Sequence, residues 1–170
     1  MAATRSSQPQ ATSQVIRALE GVWGQAMRLH PDLPAVRFAL PSIGTRARRW
    51  GHHTAWEGAA GEVAIYPAAL LDLDPGHVLG VVLHEAAHAL ARARDVRDTA
   101  PTRRLYHNST FANLAAETGL YLTADRAADI GADTPAPATL IAYKDRLKTL
   151  ATALTAYRAA FAPKGSDDGH

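Results

Sequence analysis

The stretch Val81-Val82-Leu83-His84-Glu85-Ala86-Ala87-His88-Ala89-Leu90 holds the residue types and the spacing that metal-assisted hydrolysis needs. Residues four apart share one face of a helix, so His84 and His88 can point two imidazoles at one ion while Glu85 reaches a water bound to it. Glu85 is therefore the candidate general base. The apolar neighbours make such a site partly dry, which strengthens the ion's electrostatic effect. Catalytic zinc sites take three protein ligands and keep one position open, so a third ligand must come from elsewhere in the fold. The sequence has no cysteine, which limits the donors to His, Asp and Glu and removes thiol catalysis. His107 and Glu117 are the two candidates. Arg94 stands where the metzincin pattern places its third histidine, which excludes that source. Tyr106, beside His107, reads either as a hydrogen-bond donor to the oxyanion of a tetrahedral intermediate or as a packed aromatic residue.

The motif lies in a segment with independent helix signals. Asp74-Pro75 supplies an N-cap and a proline at the first helical position, and this helix is expected from Pro75 to about Arg94. Three short segments before it read as strands, at 35–40, about 46–56 and 62–67, and the short turns between them imply an antiparallel meander. Alternation places Trp50, His52, Thr54 and Trp56 on one face of the second strand and Arg49, Gly51, His53 and Ala55 on the other. His52 on the strand and His77 on the ligand face of the helix are further candidates, each also readable as a packed or an exposed residue.

The remaining elements form a frame. Val15, Ile16, Leu19, Val22, Trp23, Ala26 and Met27 recur at helical spacing, closed by Pro31 and Pro34. A short helix fits Ser109 to Thr118, capped by Asn108 and stopped by Gly119, with Phe111, Leu114 and Ala115 inward. Residues 124–138 read as a connection with a short extended piece at Asp129 to Ala132. A last helix, 137–162, carries Leu140, Tyr143, Leu147, Leu150, Leu154, Tyr157 and Phe161 as a heptad seam. Its partner is the first helix or a second copy of the chain, the intramolecular pairing being preferred at this size. The expected fold is α+β and zincin-like: an N-terminal helix, a three-stranded antiparallel sheet, the HExxH helix, a short helix and a long C-terminal helix. These make one domain over 11–162, with 1–10 and 163–170 loose.

At 170 residues the chain suits one domain. Its formal charge of +2, from 18 Lys+Arg against 16 Asp+Glu, is a weak attractor for nucleic acid. Arginines do cluster, at Arg46/Arg48/Arg49, Arg92/Arg94/Arg97 and Arg103/Arg104, where they either track phosphates or solvate the surface. Neither a signal-peptide stretch nor a run of about 20 apolar residues is present, so a cytoplasmic location away from membranes is expected. Oligomeric state is left open.

LHEAAHALARARDVRDT followed by LYHNSTFANLAAETGL, with WGHHTAW upstream and IGADTPAPATL downstream, resembles the SprT-like zinc metallopeptidases, in particular small actinobacterial members. The resemblance covers about residues 15–160 and joins motif, order and spacing. It implies zinc (Zn2+) as cofactor, a protein or peptide substrate, and the histidine of the Tyr-His-Asn-x-x-x-Phe stretch, His107, as third ligand. Helical rise puts Glu117 roughly 15 Å along the short helix from that histidine, so both cannot serve one ion. Spartan-type relatives cleave proteins crosslinked to DNA, and some relatives carry a cysteine-containing zinc ribbon that this sequence lacks. The competing expectation is a metal-clipped protein or nucleic-acid interaction module without peptidase activity.

Overall fold

The computed structural model describes residues 3–41, 50–56, 59–100, 107–121 and 134–161. In chain order the elements are α1 (Ala3–Leu29), β1 (Val36–Ala39), β2 (Gly51–Trp56), β3 (Ala59–Ile65), α2 (Pro67–Asp72), α3 (Pro75–Ala93), α4 (Ser109–Glu117), β4 (Leu120–Tyr121), β5 (Thr134–Pro135), α5 (Pro137–Ala142) and α6 (Lys144–Phe161). The class is α+β, as the sequence implies.

The HExxH segment lies on α3, the hub of the core. Asp74 caps it, with Oδ1 accepting from the backbone N–H groups of Gly76 (2.8 Å) and His77 (3.1 Å), and Pro75 fills the first position, where no N–H is needed. Val78, Leu79, Val82, Leu83, Ala86, Ala87, Ala89 and Leu90 are all fully buried. Burying a Val or Leu contributes about 1.5–3 kcal/mol, so α3 is held far more by packing than by propensity. It touches α1, β2, α4 and α6, and its C-terminal end closes on Asp95, whose φ of 53° lies in the left-handed region.

The sheet order is β1-β3-β2, with β1 parallel and β2 antiparallel to β3. The expected antiparallel meander is thus corrected to a mixed sheet. Two residues separate the antiparallel pair β2 and β3, whereas eleven separate β1 from β2, so consecutive β1 and β2 need not be neighbours in the sheet. Register pairs His52 with Ala64 and His53 with Val63. β2 begins at Gly51, later than expected, and residues 46–49 lie outside the described residues. β3 ends at Ile65, and Pro67 opens a short helix that periodicity did not reveal; its Ala69 and Leu70 are buried.

α1 and α6 pack antiparallel: Gln8 Nε2 donates to the Ala160 carbonyl (3.1 Å) at one end, and Gly21 faces Arg146 at the other. α1 packs along α6, and Val15, Leu19 and Val22 share one buried core with Leu150, Leu154 and Tyr157, which makes α1 the seam's partner within the chain. The described part of the N-terminal segment, from Ala3 onward, is helical, Pro9 included, and Gln8 ties that end of α1 to α6. The last helix is also interrupted, at Tyr143. Thr139 Oγ1 donates to the Gly119 carbonyl (2.7 Å) and Ala136 N–H to the same oxygen (2.9 Å), anchoring α5 to the β4–β5 ribbon. Gly119, at φ 94°, is the αL stop the sequence placed after α4. The extended piece expected at 129–132 and the tail 163–170 fall outside the described residues. Among the described residues no helix is long and apolar enough to cross a membrane.

Candidate metal centre

α3 projects His84 and His88 from one face, one turn apart, into a cavity of about 640 Å³ bounded on its far side by β2. His107 arrives from the start of α4. Its Nε2 lies 3.2 Å from His88 Nε2, which in turn lies 3.2 Å from His84 Nε2. Ligand atoms of all three lie within 4.8 Å of one another, close enough to hold a metal ion. Two nitrogens bound to one tetrahedral zinc at about 2.0–2.1 Å would stand about 3.3 Å apart. The alternative, a pair of N–H···N hydrogen bonds, fits poorly. The proton of His88 is engaged at Nδ1, so its single Nε2 lone pair would have to accept from two rings at once.

What engages that proton is Asp98, whose Oδ2 lies 2.5 Å from His88 Nδ1. A carboxylate there fixes the tautomer and leaves Nε2 to ligate. Burial pushes the Asp98 carboxyl up. The His88 hydrogen bond and the neighbouring imidazoles outweigh this and hold it below the usual carboxylate value. Asp98 was not singled out from the sequence, because a carboxylate behind a metal ligand has no fixed spacing and an Asp in a loop after a helix is commonplace. Its place is set by a bridge between Thr99 and His107 and by Asn108 N–H donating to the Asp98 carbonyl (3.0 Å). One short backbone pairing therefore positions His107 and Asp98 together. Asn108 completes the joint: its Oδ1 caps α4 through Phe111 N–H (3.1 Å), as the sequence implied, and its Nδ2 donates to the Arg97 carbonyl (2.8 Å). Asp98→Asn is expected to weaken metal binding about 10–100-fold while the fold persists. Competition against a calibrated zinc chelator reads this directly, and unchanged affinity would remove Asp98 from the site.

Phe111, one turn into α4, floors the centre. Its ring stacks on His107 at 3.7 Å and 14° and lies 4.8 Å from both His84 and His88. It was legible as an inward residue but not as the support of three ligands. Glu117 takes no part. It receives a two-pronged hydrogen bond from Arg94 (2.7 and 2.8 Å), and Arg94 Nε also reaches Asp32 (2.6 Å). That bond, ahead of burial's opposing effect, keeps the Glu117 carboxyl below its ordinary value. The arginine in the metzincin position thus ties α3 to α4 and to the turn after α1.

Glu85 is 3% exposed and lines the cavity, making no hydrogen bond or ion pair with another described residue. β2 comes close because residue 51 is glycine: a Cβ there would sit 3.1 Å from both the Ala64 carbonyl and Val81 Cγ1 and 3.2 Å from Glu85 Oε1. The strand face bearing Gly51 therefore looks onto α3, and His53, two residues on, shares it. His52, its neighbour in the strand, also borders the cavity and pairs through Nδ1 with the Tyr66 hydroxyl (3.1 Å). His77 is apart from the centre, half exposed and bonded to Asp74 at the helix start. Tyr106 lies outside the described residues. Comparison of the chain with protein-family models, with curated proteins and with solved structures gave no match.

Proposed function

We propose that this chain is a zinc metallopeptidase of the zincin type, akin to the SprT-like enzymes its sequence resembles. The observation that carries the reading is the convergence of His84, His88 and His107 in the same cavity as the uncommitted carboxylate of Glu85. Three ligands leave one position of a tetrahedral ion open, whereas a structural clip closes all four. When bound, zinc supplies Lewis acidity for the carbonyl and lowers the pKa of a coordinated water to about 7.

The chain's own residues do the rest. Glu85 accepts the proton of the attacking water as its oxygen bonds to the carbonyl carbon. It then returns that proton to the amine nitrogen as the C–N bond breaks. Asp98 holds His88 in its ligating tautomer. β2, with β3 as its one strand neighbour among the described residues, lines the cavity through Gly51, His52 and His53, and an extended substrate can pair with its unpaired edge through main-chain hydrogen bonds without a demand on sequence.

The expected outcome is about one zinc per chain and cleavage of an unstructured protein such as casein. A chelator stops the cleavage and added zinc restores it. Elemental analysis with a gel-based assay, run with and without single-stranded DNA, tests both parts. Zinc at stoichiometry with no cleavage of any peptide or protein would move the chain to the metal-clipped interaction module.

A further inference from the structure

Among the described residues lining the cavity, His52, His53, Arg92 and Asp95 are titratable side chains with no role in the centre above, and of these His53 carries a buried ring nitrogen without a hydrogen-bond partner. It lies on the α3-facing side of β2, beyond Gly51 and Glu85, within the electrostatic reach of His88 and Arg92. Its two ring nitrogens differ sharply. Nε2 is buried without a hydrogen-bond partner and faces Gly61 so closely that a Cβ on that glycine would come to 2.8 Å. Nδ1 is not among the buried unpartnered atoms, and the residue lines the cavity.

We propose that His53 is a further catalytic residue, whose Nδ1–H donates a hydrogen bond to the scissile carbonyl oxygen as that oxygen gains negative charge. This rests on the hydrolase reading above. Two considerations set the proton on Nδ1. A buried N–H without an acceptor is rarer and costlier than a buried lone pair, so the sealed Nε2 is the bare nitrogen. Burial first, and then the nearby His88, Arg92 and His52, push the ring's pKa down to about 4, so near neutrality it carries a single proton.

A histidine in this place gives the fold little. It leaves a polar atom unsatisfied inside the sheet, where a leucine would pack without that cost, and such unpaired groups call for an explanation. A fixed donor on a rigid strand opposite the ligating face of α3 supplies one. It meets the oxyanion with no reorganisation when charge develops, and no proton is transferred. The site stays balanced: the carbonyl π pair moves onto oxygen, Glu85 carries the water proton, and the same pair returns as the amine leaves.

The test uses zinc-loaded full-length chain, a fluorogenic peptide the wild type cleaves, and a phosphinic analogue of that peptide. His53→Leu is expected to lower kcat about 10²-fold with KM and zinc affinity changed less than about threefold, and to weaken the phosphinic analogue in parallel with kcat/KM. His53→Asn places an amide donor near the Nδ1 position and His53→Gln near that of Nε2, so Asn should retain at least about tenfold more activity than Gln. This comparison also serves if His53→Leu does not fold. Activity of His53→Leu within about threefold of wild type, or Asn and Gln equally poor, overturns the role. If Glu85→Gln is inactive in the same assay while His53→Leu is not impaired, the hydrolase reading stands and this assignment alone falls. A wild type that cleaves nothing overturns both.

Discussion

Glu85→Gln is expected to abolish peptide hydrolysis, with a loss of about 10²–10⁴-fold, while zinc content and melting temperature stay close to wild type. The side chain is 3% exposed, so its carboxylate would be hard to retain for solubility, and it makes no ion pair among the described residues that would justify it structurally. Glutamine has nearly the same shape, and Gly51 leaves the same space for it. What the amide lacks is the capacity to take a proton from water. Retention of full activity by this variant would end the general-base assignment. Loss of zinc along with activity would instead make Glu85 a ligand.

The second large effect separates the two candidate third ligands. His107→Ala is expected to weaken zinc binding by more than the about 10–100-fold typical of losing an outer hydrogen-bond partner of a ligand, and Glu117→Ala by less than about threefold. His107 Nε2 lies in the nitrogen cluster, whereas both Glu117 oxygens are taken by Arg94. Glu117→Ala should register instead in stability, by no more than about 1 kcal/mol for so exposed a pair. Because His107 also stacks on Phe111, the zinc-free proteins must be compared by thermal melting so that lost packing is not read as lost coordination. The reverse ranking of zinc affinities would recast the centre as a His-His-Glu site.

The parts of this site that were legible in the sequence are those written in local code. The Asp74-Pro75 start, the His84/His88 spacing, the Asn108 cap and the Gly119 stop each depend on a few adjacent residues, and α3 and α4 lie within a residue or so of their expected bounds. The parts that were not legible depend on distant partners. β1 pairs in parallel with β3 because of where the chain returns, which alternation within a strand does not encode. Helical order through Pro9 goes with contact with residue 160, and the separate start of α5 with the anchoring of Thr139 to Gly119. Asp98 and Phe111 belong to the centre through tertiary packing that no spacing rule captures. His52 and His53 were correctly set on opposite faces, but which face would look onto α3 awaited the glycine at 51.

The bridge between Thr99 and His107 has a consequence for how such a protein can vary. Both ends of the intervening segment are tied at one point, by that bridge and by Asn108 to the Asp98 carbonyl, and the ligand and its carboxylate partner belong to the tie itself. Chain length between them is thereby uncoupled from coordination. Closure entropy rises only slowly with chain length, about 0.6 kcal/mol per doubling, so it is the pairing of 98–99 with 107–108 that keeps imidazole and carboxylate together. A change in the chain that preserves this backbone tie preserves the ligand and its partner as a unit, and one that breaks it loses both at once.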